Sequence, residues 1–160
     1  IVPDPGLDGT GKFEIVGDKL RTLIAFDFEA KASYSVRVRS VDQGGGICGK
    51  VLTVSVTNVN ETPTAILLSQ SSVPEGLPIG TVVGTLSTVD PDAGNTFKYA
   101  IIPDAMLDGT GMFEIVGNQL RTKAVFNAAV KSSYSVRIRS TDQGGLFFGK
   151  VFTIGVTKAN

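Results

Sequence analysis

Apolar and polar residues alternate through most of the chain. In Ser133–Ser140, Tyr134, Val136 and Ile138 fall on one side, and Ser135, Arg137 and Arg139 on the other. In Val151–Thr157, Phe152, Ile154 and Val156 alternate with Val151, Thr153 and Gly155. A two-residue period predicts strands with one buried face, and no stretch carries the 3.6-residue period of an amphipathic helix. Asp108-Gly109, Gly117-Asn118 and Gly144-Gly145 punctuate the runs as turns.

The pattern repeats. Residues 1–60 align without a gap to residues 101–160, with 36 of 60 positions identical. LDGTGKFEIVGDKLRT from Leu7 returns as LDGTGMFEIVGNQLRT from Leu107, and KASYSVRVRSVDQGG from Lys31 as KSSYSVRIRSTDQGG from Lys131. A period of about 100 residues is too long for a solenoid and fits domains strung in tandem. The complete copy predicts seven strands: Thr64–Leu68 with an extension at Ser71–Glu75, Thr81–Ser87, Thr96–Ile102, Met112–Val116, Gln119–Thr122, Ser132–Ser140 and Phe147–Thr157. That spacing indicates an all-β, antiparallel β-sandwich. The expected division is a truncated repeat at 1–57, a linker at 58–63 and a complete repeat at 64–160. The first copy is expected to keep the end of its third strand and the four that follow, and to be the less stable of the two. The chain is expected to be a piece of a longer one.

Composition narrows the chemistry. Fifteen basic and fifteen acidic residues give zero net charge, which argues against a nucleic-acid partner. There is no His and one Cys, so His-dependent nucleophilic catalysis and a Cys/His zinc cage are excluded. Oxygen-liganded metals remain. Several acids sit at strand ends and in loops: Asp27 and Glu29, Asp42, Glu61, Glu75, Asp90 and Asp92, and Asp142. Oxygen ligands at alternate loop positions suit Ca²⁺, which takes 6–8 of them. Asp8-Gly9-Thr10-Gly11 and its copy at Asp108 are expected to be hairpin turns. Cys48 is expected to be a small apolar packing residue, and the strand arginines a solvated face.

These motifs, taken together and in this order, resemble the cadherin repeat, in the form found in large bacterial and marine surface proteins. The resemblance implies a Greek-key sandwich. It places an upstream Asp-x-Glu on Asp27 and Glu29 and the linker ligands on Asn58, Asn60 and Glu61, followed by Thr62. The downstream Asp-x-Asp falls on Asp90 and Asp92, with Asn95 offering a backbone carbonyl, and the late Asp on Asp142. Asn60 is expected to contribute its main-chain carbonyl, with its side chain less critical. The implied cofactor is Ca²⁺. Six carboxylates would converge, and two of them about 4 Å apart repel by about 1 kcal/mol in water, so the cation would stiffen the linker. In the second copy the Asp-x-Glu has become Asn127-Ala128-Ala129, and the exit reads Thr157-Lys158-Ala159-Asn160, so that end is expected to hold no calcium.

The implied role is adhesion and spacing at the cell surface or outside the cell, within a larger secreted or membrane-anchored protein, and not catalysis. The expected partners are neighbouring repeats of the same chain, like molecules on other cells (homophilic), or surface glycans. The rival readings are a calcium-independent Ig-like stalk and a glycan- or partner-binding accessory module of a secreted protein.

Overall fold

The computed structural model describes residues 1–159; Asn160, the last residue of the exit segment, lies outside them. All regular structure among the described residues is β-strand. The chain falls into two compact units, residues 1–59 and residues 60 onward.

The second unit contains β5 (Ala65–Leu68), β6 (Ser72–Pro74), β7 (Val82–Val89), β8 (Lys98–Ile102), β9 (Phe113–Val116), β10 (Gln119–Thr122), β11 (Ser133–Thr141) and β12 (Phe147–Thr157). They form two four-stranded sheets, ordered β5-β7-β10-β9 and β6-β12-β11-β8. The predicted first strand and its extension therefore belong to different sheets: the chain crosses over between Leu68 and Ser72. All pairings are antiparallel except β6 with β12, which is parallel.

The two-residue period fixes what lies between the sheets. Val136, Ile138 and Ser140 of β11 are fully buried, as is Ile154 of β12; Phe152 and Val156 follow closely. They meet Ile66, Val83, Leu86, Phe113 and Leu120 from the other sheet. Phe126, between β10 and β11, packs against Phe113 and Tyr134 at centroid distances of 5.4 and 4.9 Å. A polar group within this core is satisfied across the sheets: Thr88 Oγ1 lies 2.9 Å from Tyr99 Oη and 2.6 Å from Ser140 Oγ.

The first unit holds two hairpins, β1 (Phe13–Val16) with β2 (Lys19–Thr22) and β3 (Ser33–Val41) with β4 (Ile47–Ser55). Of the expected third strand only one isolated bridge is present, Val2 with Arg37. Phe13 and Val36 are its buried apolar residues. Other positions buried in the second unit are more open here: Leu20 is 37% exposed where Leu120 is 0%. Cys48 is exposed as well, contrary to the packing role expected for it, because the strands that enclose its counterpart Phe148 have no equivalent within this unit.

Two further expectations change. The Asp108 turn is not a hairpin, since the strands it joins, β8 and β9, lie in different sheets. It is stapled to β11 instead: the Ser135 amide donates to Asp108 Oδ1 at 2.7 Å, Lys131 pairs with the same carboxylate, and Gly109 N–H donates to Ser135 O at 2.8 Å. The strand arginines are not uniformly solvated either, because Arg137 pairs with Asp104 at 3.0 Å and Arg37 with Asp4 at 3.0 Å.

Candidate metal centre

Antiparallel pairing gathers the second unit's acids at one end. Ala65 at the start of β5 faces Val89 at the end of β7, so Asn60 and Glu61, which precede β5, come beside Asp90 and Asp92, which follow β7. In the other sheet Thr141 at the end of β11 faces Lys98 at the start of β8, which brings Asp142 to that end beside the 93–97 loop. Pro63 is fully buried and anchors the entering segment.

Hydrogen bonds then fix the carboxylates. Asp92 N–H donates to Asp90 Oδ1 at 2.9 Å, a local turn of the kind an Asp-Pro-Asp sequence favours. Glu61 N–H donates to Asp92 Oδ2 at 2.8 Å. Asp142 closes its own loop by accepting from Leu146 N–H at 2.9 Å, and its other oxygen accepts from Asn60 Nδ2 at 2.9 Å. This last bond corrects the expectation for Asn60: its side chain is engaged, joining the segment before β5 to the loop after β11.

Asp92 and Asp142 are 8% and 6% exposed, low for carboxylates. Burial pushes Asp142 up, but the Asn60 side chain and the backbone amides of Leu146, Gly145 and Gly144 outweigh it. Its carboxyl is held below the usual range, ionised at neutral pH. An oxygen of Glu61 lies within 4.8 Å of one of Asp92. Asp90 Oδ2 is buried and, among the described residues, no hydrogen bond reaches it. The donor set is all oxygen, and oxygens sharing one Ca²⁺ at about 2.3–2.6 Å lie at most about 5 Å apart. The residues therefore fit a hard divalent cation. A surface depression of about 500 Å³, lined by Thr96, Lys98, Gln143 and Gly144 among others, opens beside Asp142 and gives solvent a way in.

The remaining sequence-predicted ligands belong to the first unit. Asp27 and Glu29 are exposed on the turn after β2, where Ala30 N–H donates to Asp27 Oδ1 at 3.0 Å. The turn itself does not need an acid, since Asn127, the counterpart of Asp27, makes a similar bond one residue earlier, to Ala129 N–H at 2.9 Å. Asn58 is exposed in the segment after β4. Glu75, at the other end of the second unit, accepts from Ala128 N–H at 2.7 Å and is structural. Sequence reading missed the Asp104–Arg137 and Asp108–Lys131 pairs. A signal was present: both partners of each pair recur in both copies, as Asp4 with Arg37 and Asp8 with Lys31.

No family model matches the chain. Among curated proteins it is similar to cadherin-8 of Homo sapiens, 33% identical over 130 aligned positions that cover 72% of this chain and 16% of that one. Human cadherin-12 is 29% identical with the same coverage. In fold it is similar to human protocadherin-24 EC1-2, with a TM-score of 0.72 at 20% identity, over 96% of this chain and 81% of that one. These are cadherin-like domains. The chain spans about a sixth of the length of the curated cadherins it matches. Those cadherins are vertebrate, which does not support the narrower likeness to the bacterial and marine form. The comparisons lend no support to glycan binding, and the tyrosines are engaged elsewhere: Tyr134 and Tyr34 pack at a tilt against Phe126 and Phe26, and the Tyr99 hydroxyl is bonded to Thr88.

Proposed function

We propose that the chain is part of the ectodomain of a calcium-dependent adhesion protein, placed outside the cell or at its surface, whose repeats act as spacers and contact like molecules. The observation that carries this reading is the end of the second unit. There Glu61, Asp90, Asp92 and Asp142 are gathered by topology, and Asp90 keeps a buried, unbonded carboxylate oxygen. These carboxylates would hold Ca²⁺, with Asn60 supporting Asp142. The family resemblance adds Asp27, Glu29 and Asn58 to the same ion cluster. Bound cation supplies the positive charge that lets several carboxylates stay close and ionised. The protein's part is to fix the carboxylates by backbone and side-chain hydrogen bonds before the ion arrives. The role is mechanical and adhesive, with no catalytic step.

The test is calorimetric titration of the chain with CaCl₂, together with thermal unfolding in Ca²⁺ and in EDTA. Calcium at 100 times its dissociation constant stabilises a binding domain by about 2.7 kcal/mol. For a domain of this size that raises Tm by roughly 10 °C or more. Asp90→Ala/Asp92→Ala should abolish both the binding heat and the shift. An unaltered melting curve in wild type would overturn the reading and favour a calcium-independent stalk.

A further inference from the structure

Gly144 lies in the loop that Asp142 closes, and its Cα faces the Asn60 side chain. A Cβ built there would stand 2.6 Å from Asn60 Nδ2, 2.7 Å from Cγ and 2.9 Å from Oδ1, closer than real Cβ atoms come. The backbone does not explain the glycine, since Gly144 is not among the residues with positive φ, whereas its neighbour Gly145 has φ of 93°. The matching loop of the first unit makes the same turn: Gly46 N–H donates to Asp42 Oδ1 at 2.7 Å and Asp42 N–H to Gly46 O at 3.0 Å. There a Cβ on Gly44 would meet only its own loop's Asp42 Oδ1, at 3.4 Å. What distinguishes Gly144 is the amide seated on it.

We propose that Gly144 is a positioning residue for the metal centre: its missing side chain is the seat that lets Asn60 reach Asp142 and hold that carboxylate in place for the cation. The inference rests on the calcium reading above. Any side chain at 144 displaces the Asn60 amide, a flexible group, and leaves the turn itself intact. The bond from Asn60 Nδ2 to Asp142 Oδ2 is then lost, and the buried carboxylate is left with its own loop's amides alone. Groups that hydrogen-bond a metal ligand typically change metal affinity by about 10–100-fold when removed.

The experiment is a double-mutant cycle on the full chain, titrating Ca²⁺ against wild type, Gly144→Ala, Asn60→Ala and the double variant, with Gly44→Ala as control. Each is also melted in EDTA. Gly144→Ala and Asn60→Ala should each weaken calcium binding by about tenfold, and the double variant should be no worse than Asn60→Ala. Gly44→Ala should bind as wild type. In EDTA the Asn60 side-chain amide resonances should move in Gly144→Ala. Equal affinity in Gly144→Ala and wild type would overturn the proposal, and so would a Gly144→Ala loss that persists undiminished on the Asn60→Ala background. Should Gly144→Ala fold poorly, Asn60→Ala decides: unchanged affinity there is fatal to the idea. Wild type that takes up no calcium removes the metal reading and this one with it, an outcome distinct from a wild type that binds while Gly144→Ala matches it.

Discussion

Leu20 and Leu120 occupy the same position of the repeat, each in a Leu-Arg-Thr strand end, yet one is 37% exposed and the other fully buried. Replacing each by Ala therefore measures what the surrounding strands contribute. Leu→Ala deletes three carbons, worth about 0.8 kcal/mol each when buried, and the unfilled cavity brings the expected loss at Leu120 to about 3–5 kcal/mol. Leu120 sits among Ile66, Val83, Leu86 and Phe113, an enclosed setting in which a void has little chance of collapsing. At Leu20 the side chain already faces solvent and no cavity forms, so the loss should be about 1 kcal/mol or less. The assay is urea unfolding in EDTA followed by residue-resolved NMR. Amides of β10 and β11 report the second unit, and those of β2 and β3 the first, so separate transitions are read separately. In a thermal melt Leu120→Ala should lower the second unit's Tm by roughly 12–20 °C. Comparable losses at the two positions, or a negligible loss at Leu120, would refute the argument that only the second unit has a closed core.

Other outcomes follow from the same structure. Gly109→Ala should destabilise the second unit by about 2 kcal/mol or more, because its Cβ would lie 2.5 Å from the backbone oxygen of Ser135, which cannot step aside; a thermal melt checks it. Acid should weaken the fold in a defined window. The Met106 amide and the Arg137 guanidinium hold Asp104 below the usual carboxylate range, and the Lys131 ammonium and the Ser135 amide do the same for Asp108. Depressed carboxylates contribute stability above their unfolded pKa of about 3.9 and lose it as pH falls through the folded value. Stability in EDTA should therefore be level from pH 7 to about 5 and fall below about 4, and Asp104→Asn/Asp108→Asn should flatten that fall in a pH series of melts. Thr88→Val should cost roughly 1–3 kcal/mol by stranding Tyr99 and Ser140, and the double variant Thr88→Val/Ser140→Ala should recover part of it, as denaturant titration would show.

Much of the strand content was legible because alternation is a local signal. β10 and β12 fall on their predicted bounds, and β9 and β11 lie within a residue or so of theirs. The partition into sheets was not legible. Thr64–Glu75 reads as one strand with an extension, and the crossing between sheets at Ser69–Ser71 is decided by which partners β5 and β6 find, β7 and β12, far along the chain. The Asp108 turn misled for the same reason: its composition marks a turn but not whether the flanking strands pair with each other. At the candidate site the acids were legible as residue types in loops. The Asn60 bond was not, because it joins residues 82 positions apart and depends on an empty place above Gly144. Cys48 shows the limit of reasoning from the repeat. An aligned position inherits the burial of its counterpart only where the covering strands are also present.

The parallel pairing of β6 with β12 also bears on how the second unit carries load. β6 lies near the start of that unit and β12 ends it at Thr157, with Gly155 opposite Ser72 and Thr157 opposite Pro74. Tension applied at the unit's two ends draws these strands in opposite directions along their common axis. The bonds between them, among them Gly155 N–H to Ser71 O and Glu75 N–H to Thr157 O, both 2.8 Å, then bear the force side by side in shear. An antiparallel pair pulled apart at its open end, away from the turn, would instead release its bonds one at a time, like a zip.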